Sequence, residues 1–143
     1  MESARLFEEL GDKWRVSVAF RNMGIVLLRQ RDYDCAETFF ADSIRLRNPA
    51  KNWWVVFQSV EGLACIACAR GHYRRAAVLF SAAKQIQESL RSTRERDYQA
   101  EIDQYVKSTR TSLGEQAFST AWAAGRAMTL EQAIEYALAM EAT

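Results

Sequence analysis

With 143 residues the chain fits one domain, long enough to bury roughly two thirds of its unfolded surface without a disulfide or metal to hold the core. Its 19 basic and 18 acidic residues leave a formal net charge of +1, so there is no whole-chain field to gather phosphates or anionic lipid, and direct binding to nucleic acid or a membrane is not expected. Met1 to Leu10 lacks a secretory leader, no apolar run approaches the roughly 18 residues of a membrane helix, and an odd number of cysteines argues for reduced thiols, so a cytoplasmic location is expected.

A single proline, Pro49, and six glycines interrupt stretches rich in Ala, Leu, Arg, Glu and Gln, while alternating β-branched patterns are nearly absent. This composition predicts an all-α chain. At the amino-terminal end "SARLFEEL" reads as a partial helix over 1–11, the end of a second helix whose partner is missing. A repeat array normally closes with a polar cap, and Leu6, Phe7 and Leu10 meet that requirement poorly. The expectation is either a chain excised from a longer protein or an open end that docks on a partner, including a second copy in a homo-oligomer.

The next segment, 12–51, forms a first repeat. Val16 to Gln30 carries Phe20, Met23, Leu27 and Leu28 at spacings that line one helix face, and "QRDYDCAETFF" turns the chain into a second helix. Asp32 and Asp34 suit the turn and the helix start. A second repeat follows over 52–92. Laying the sequence on itself so that Trp14 meets Trp54 also matches Tyr33 with Tyr73, Ala36 with Ala76 and Phe40 with Phe80, and sets Gly24 against Ala64 and Met23 against Leu63. The unit is an antiparallel helix pair. Its helices cross where Gly24 and Ala36 allow close approach, and Phe40 fills the space beside them.

Over 93–143 the rhythm changes. The charged "RSTRERD" precedes a helix over Tyr98 to Leu113, which Gly114 ends. Ala117, Phe118, Ala121 and Trp122 give a short apolar-faced helix that stops at Gly125. Thr129 with Gln132 is a capping box for a last helix, buried along Leu130, Ala133, Ile134, Ala137 and Leu138. A degenerate third pair and a closing helix are expected.

A small residue in the first helix, followed by Tyr33, Ala36 and Phe40 in the second, resembles the tetratricopeptide-repeat (TPR) family. The resemblance implies antiparallel helix pairs stacked as a short right-handed solenoid with a degenerate carboxy-terminal cap. The inter-repeat turns, "RNPAKN" among them, should be long, because the period that carries Trp14 to Trp54 exceeds the family's usual length of about 34. "ELGDKW", "RRAAVLFSAAKQIQESL" and "LGEQAFSTAWAAGRAMTLEQAIEYAL" together resemble the carboxy-terminal repeat region of large bacterial signal-transduction regulators of the ATPase type. Those regulators carry a nucleotide-binding switch, often with a LuxR-type helix-turn-helix or an amino-terminal output domain. The ending W-x-x-G-R-x-M-T-L-E-x-A, Trp122 to Ala133, carries most of this resemblance. No G-x-x-x-x-G-K-[ST] loop is present, so what is implied is a non-catalytic sensor or scaffold arm that binds a protein, a peptide or a neighbouring domain.

No cofactor is implied. Cys65, Cys68 and His72 form C-x2-C-x3-H, a spacing that can bring three zinc ligands together, but Cys65 and Cys68 occupy the register slots of Ile25 and Leu28. Packing of small apolar thiols therefore outweighs a metal or redox sensor, and His72 reads as a turn residue. Arg74, Arg75, Arg91, Arg94 and Arg96 are interleaved with Glu88, Glu95 and Asp97, as on a solvated face. In TPR arrays the first helices line the concave surface, and by that register Arg21, Arg29, Gln58 and Glu61 face it. Asn22, with Arg21 in place of a lysine, is the nearest approach to the family's carboxylate clamp. Trp53 has no counterpart in the first repeat and suits either partner contact or packing against the turn. These six residues are the expected partner-binding set.

Overall fold

A computed structural model describes residues 2–47, 53–89 and 96–139. They form only helices: α1 (Glu2–Arg29), α2 (Tyr33–Arg45), α3 (Trp53–Ala69), α4 (Tyr73–Ser89), α5 (Arg96–Leu113), α6 (Glu115–Arg126) and α7 (Leu130–Leu138). No strand occurs among the described residues, and none of these helices is long and apolar enough to cross a membrane. The turn "RNPAKN" lies outside the described residues beyond Arg47, as does "RSTRERD" up to Glu95. So do the side chains of Leu6, Phe7, Leu10, Trp14 and Trp53.

The segment expected as a separate partial helix over 1–11 is continuous with the first helix of the repeat, since α1 runs unbroken through Gly11. A lone glycine costs a helix interior only about 1 kcal/mol, so it need not end one.

The sequence period is visible in the backbone. The α1–α2 turn closes with Arg31 N–H donating to Leu28 O (3.0 Å) and Asp32 N–H to Leu27 O (2.9 Å). The α3–α4 turn closes with Gly71 N–H donating to Cys68 O (3.0 Å) and His72 N–H to Ala67 O (2.8 Å), so each bond recurs one full repeat later. Both are Schellman endings, in which the residue beyond the helix turns left-handed so that two otherwise orphaned carbonyls find donors. That residue is Arg31 in the first turn (φ 63°) and Gly71 in the second (φ 83°). The Asp32 carboxylate then caps α2 by accepting from Cys35 N–H (3.4 Å), while Asp34 in the first turn pairs with Arg70 at the end of α3 (2.6 Å).

Helix α1 packs on α2, α3 packs on α4, and α3 bridges the two pairs by touching both α1 and α2. Phe40 is the knob of this junction. It is fully buried on α2, with Gly24 of α1 and Gly62 of α3 both so close that a Cβ on either would overlap its ring. A serine cluster lies in the same seam. Ser17 and Ser43 donate to each other's backbone carbonyls (2.8 and 2.7 Å), and Ser59 donates to the Ser43 hydroxyl (3.2 Å). Each buried hydroxyl thus keeps a partner, so three helices approach closely without stranding a polar group.

The carboxy-terminal third departs from the pair rhythm. Helix α6 lies mainly along α4 and touches α5 much less, α5 packs on α4, α3 and α6, and α7 crosses back over α4, α2 and α3. Gly114 (φ 89°) ends α5 and redirects the chain as expected. Helix α6 ends at Arg126, within a residue of the stop expected at Gly125, and Gly125 has a second use. It stays within α6 and is buried against the Val78 carbonyl and Ser81 of α4, where a Cβ would collide with backbone. Close approach to α4, which only glycine allows, is that use. Thr129 and Gln132 form both halves of the expected capping box (3.2 and 2.9 Å). At the other end of α7, Arg75 donates to the carbonyls of Ala137 (3.2 Å) and Ala139 (3.1 Å) with its guanidinium over the Tyr136 ring (5.0 Å). A cation there satisfies the last carbonyls and opposes the negative helix end.

Candidate partner-binding surface

Among the described side chains, the expected contact residues do not form one patch. Arg21 and Gln58 are brought together: the Arg21 guanidinium donates to the Gln58 amide oxygen and lies 4.8 Å from the centre of the Trp54 ring. Trp54, the repeat counterpart of Trp14, is half-buried, so its π face serves as a platform that steers the cation toward α3. Arg29 sits further along α1 and forms a two-pronged pair with Glu101 of α5 (2.7 and 3.1 Å). Side chains of α1 therefore reach both α3, through Arg21 and Gln58, and α5, through Arg29 and Glu101. An exposed pair of this kind contributes little stability, but its fork geometry orients the two helices.

Glu61 differs from expectation. It is only 2% exposed, so it is not an open surface contact. It lines a recess of about 280 Å³ with Phe80, Lys84, Gln99, Asp103 and Trp122, formed because α5 and α6 both lean on α4 beside α3. Trp122 stacks on Phe118 (5.3 Å between centroids) and takes the Lys84 ammonium over its ring (6.0 Å). The recess thus offers an indole wall, a lysine and carboxylates within a small space.

Asn22 is exposed, and its repeat counterpart is Gly62, which faces Phe40 of α2. It therefore lies on the side of α1 turned away from Arg21's partners, and the two do not converge as a clamp would require. The side chain of Trp53 is outside the described residues.

That open side of α1 is the feature least visible in the sequence. Met23 and Val26 are each 45% exposed and Val16 is 37% exposed, although the spacing of Met23 with Leu27 and Leu28 predicts a buried face for it. Leu28 is buried as expected; Met23 faces the opposite way because, among the described residues, no helix lies beyond α1 on that side.

Cys65 and Cys68 are both buried in the core, and the Cys68 thiol donates to Tyr105 O (3.7 Å). His72 closes the α3–α4 turn through its backbone and lines a groove of about 400 Å³ between α2 and the end of α7. Among the described residues no three His, Cys, Asp or Glu side chains come together to hold a metal ion. Comparison with family models, curated proteins and solved structures found no match to this chain.

Proposed function

We propose that this chain is a non-catalytic protein-interaction scaffold of TPR type, the sensor or regulatory arm of a bacterial ATPase-type transcriptional regulator. The observation that supports it is the duplicated helix pair, whose two turns close with the same hydrogen bonds at corresponding positions of the repeat. Repeated pairs of this construction expose long helix faces that suit a peptide or neighbouring domain. The Arg21–Trp54–Gln58 cluster and the recess beside Trp122 are the polar and aromatic features such a partner would read. An arm of this kind regulates only by binding one state of the switch better than the other.

Immunoblotting of source cells with an antibody to this chain tests the reading. A band several times larger than the 16.3 kDa of this chain supports the regulator arm. A band at 16.3 kDa overturns it in favour of a free-standing adaptor that self-associates, the reading to which exposed Val16, Met23 and Val26 also lend themselves.

A further inference from the structure

The internal repeat tells what belongs on the open side of α1. On α3 the residues Val56, Ser59, Gly62, Leu63 and Ile66 are all buried and fall on one helical stripe, two members of which contact α2: Gly62 meets the Phe40 ring, and Ser59 donates to Ser43. Their counterparts one repeat earlier are Val16, Ala19, Asn22, Met23 and Val26, all exposed. The chemistry of the face is kept in kind, with aliphatic or small side chains at the same 3- and 4-residue steps that make a helix-packing stripe. What α1 lacks among the described residues is the helix that α2 provides for α3. The open face is thus the continuation of an interface that the chain already forms once.

We infer that this face of α1 docks the second helix of another helix-pair repeat, supplied by the larger regulator proposed above, on which the inference rests. One substitution within the stripe specifies the incoming helix further. Gly62 leaves room for Phe40, whereas Asn22 fills the corresponding space with a polar side chain. The docked helix therefore carries a small residue where α2 carries Phe40. Its flank need not be acidic: on α2, Asp34 and Glu37 pair with Arg70, and the counterpart of Arg70 on α1 is the neutral Gln30.

A peptide of residues 33–46 tests this, with Cys35→Ser, with Phe40→Ala, and with a side-chain crosslink between positions 38 and 45, both exposed on α2, to hold it helical. Titrated into the isotopically labelled chain, it should shift the backbone amide resonances of Val16 to Val26 in a saturable way. Met23→Glu, at an exposed position, should weaken binding at least tenfold while leaving the thermal midpoint of the chain unchanged. The same peptide with Phe40 retained should bind more weakly than the alanine version, and Asn22→Gly should reverse that order. Absence of shifts on α1, or the same peptide order with and without Asn22→Gly, would overturn the inference. So would a concentration-dependent dimer without peptide that Met23→Glu abolishes, because a second copy would then be the occupant. Such a failure leaves the blot of source cells free to support the regulator arm, so the two readings fail separately.

Discussion

Phe40 of α2 occupies the space that a side chain at Gly62 of α3 would need, and the same ring closes against Gly24 of α1. One aromatic side chain thereby sets the spacing of three helices. Because the ring is fully buried between two backbones, it has no room to swing aside when a methyl group is added. Gly62→Ala should therefore destabilise the chain by about 1–3 kcal/mol, as overpacked cores do, although alanine in a helix interior would by itself gain about 1 kcal/mol. Urea unfolding followed by circular dichroism reads the net sign. A more stable variant would show that the ring shifts without cost.

The two repeat turns supply an internal control on backbone strain. Arg31 holds φ at 63° where its counterpart Gly71 holds 83°. A side chain in the left-handed region costs roughly 1–2 kcal/mol, and glycine removes the clash at some expense in unfolded-state entropy. Arg31→Gly should raise stability by about 0.5–1 kcal/mol, and Gly71→Ala should lower it by about 1 kcal/mol. Thermal melts of the two variants should move in opposite directions. Movement in the same direction would mean that side-chain contacts, rather than the turn's φ, govern the response.

The duplicated pairs are legible in the sequence because their marks are local: Tyr33 and Tyr73, Ala36 and Ala76, and Phe40 and Phe80 lie at fixed steps from the same turn. Gly62 is illegible for a related reason. Its counterpart is Asn22, and a comparison that looks for like residues passes over a position that packs on the preceding unit in one repeat and is exposed among the described residues in the other. Met23 misleads for the same cause, since its apolar character suits a face whose covering helix is absent from the described fold. Gly125 is ambiguous because one residue type serves both helix ends and close helix crossings. Only the position of α4 against α6 distinguishes them. Glu61 sits in a repeat register that predicts an open surface, and the departure of α5 and α6 from the pair rhythm buries it.

The exposed thiol of Cys35 offers a pH-dependent readout of the α2 cap. A hydrogen bond with Asp32 stabilises the protonated thiol, and the charges of Asp32 and Asp34 further disfavour the thiolate, so its pKa is raised above the ordinary 9.0. Since the thiolate is the nucleophile, Cys35 should be alkylated more slowly than an ordinary exposed cysteine just below pH 9. Asp32→Asn should accelerate labelling while keeping a side-chain oxygen for the cap. Mass-spectrometric labelling rates against pH, read at Cys35 alone, check this. An unchanged rate profile would remove Asp32 as the cause.

Tyr105 couples the α3–α5 junction to alkaline stability. Burial is the main reason its phenol is pushed from 10.0 up to about 12, with added resistance from Cys65, Tyr33, Cys68 and Glu101 as these carry negative charge. Between those two values the unfolded chain releases this proton while the folded chain keeps it, so the unfolded state binds fewer protons and stability falls as pH rises. The contribution is intact below pH 10 and is lost as pH passes through about 12. Tyr105→Phe cannot ionise, and its unfolding free energy should decline less steeply across that window by a fraction of one proton. Denaturant midpoints below pH 10 and again between pH 10 and 12 make the comparison. Parallel declines in the two proteins would show that Tyr105 titrates alike in both states and that the phenol is hydrated in the folded chain.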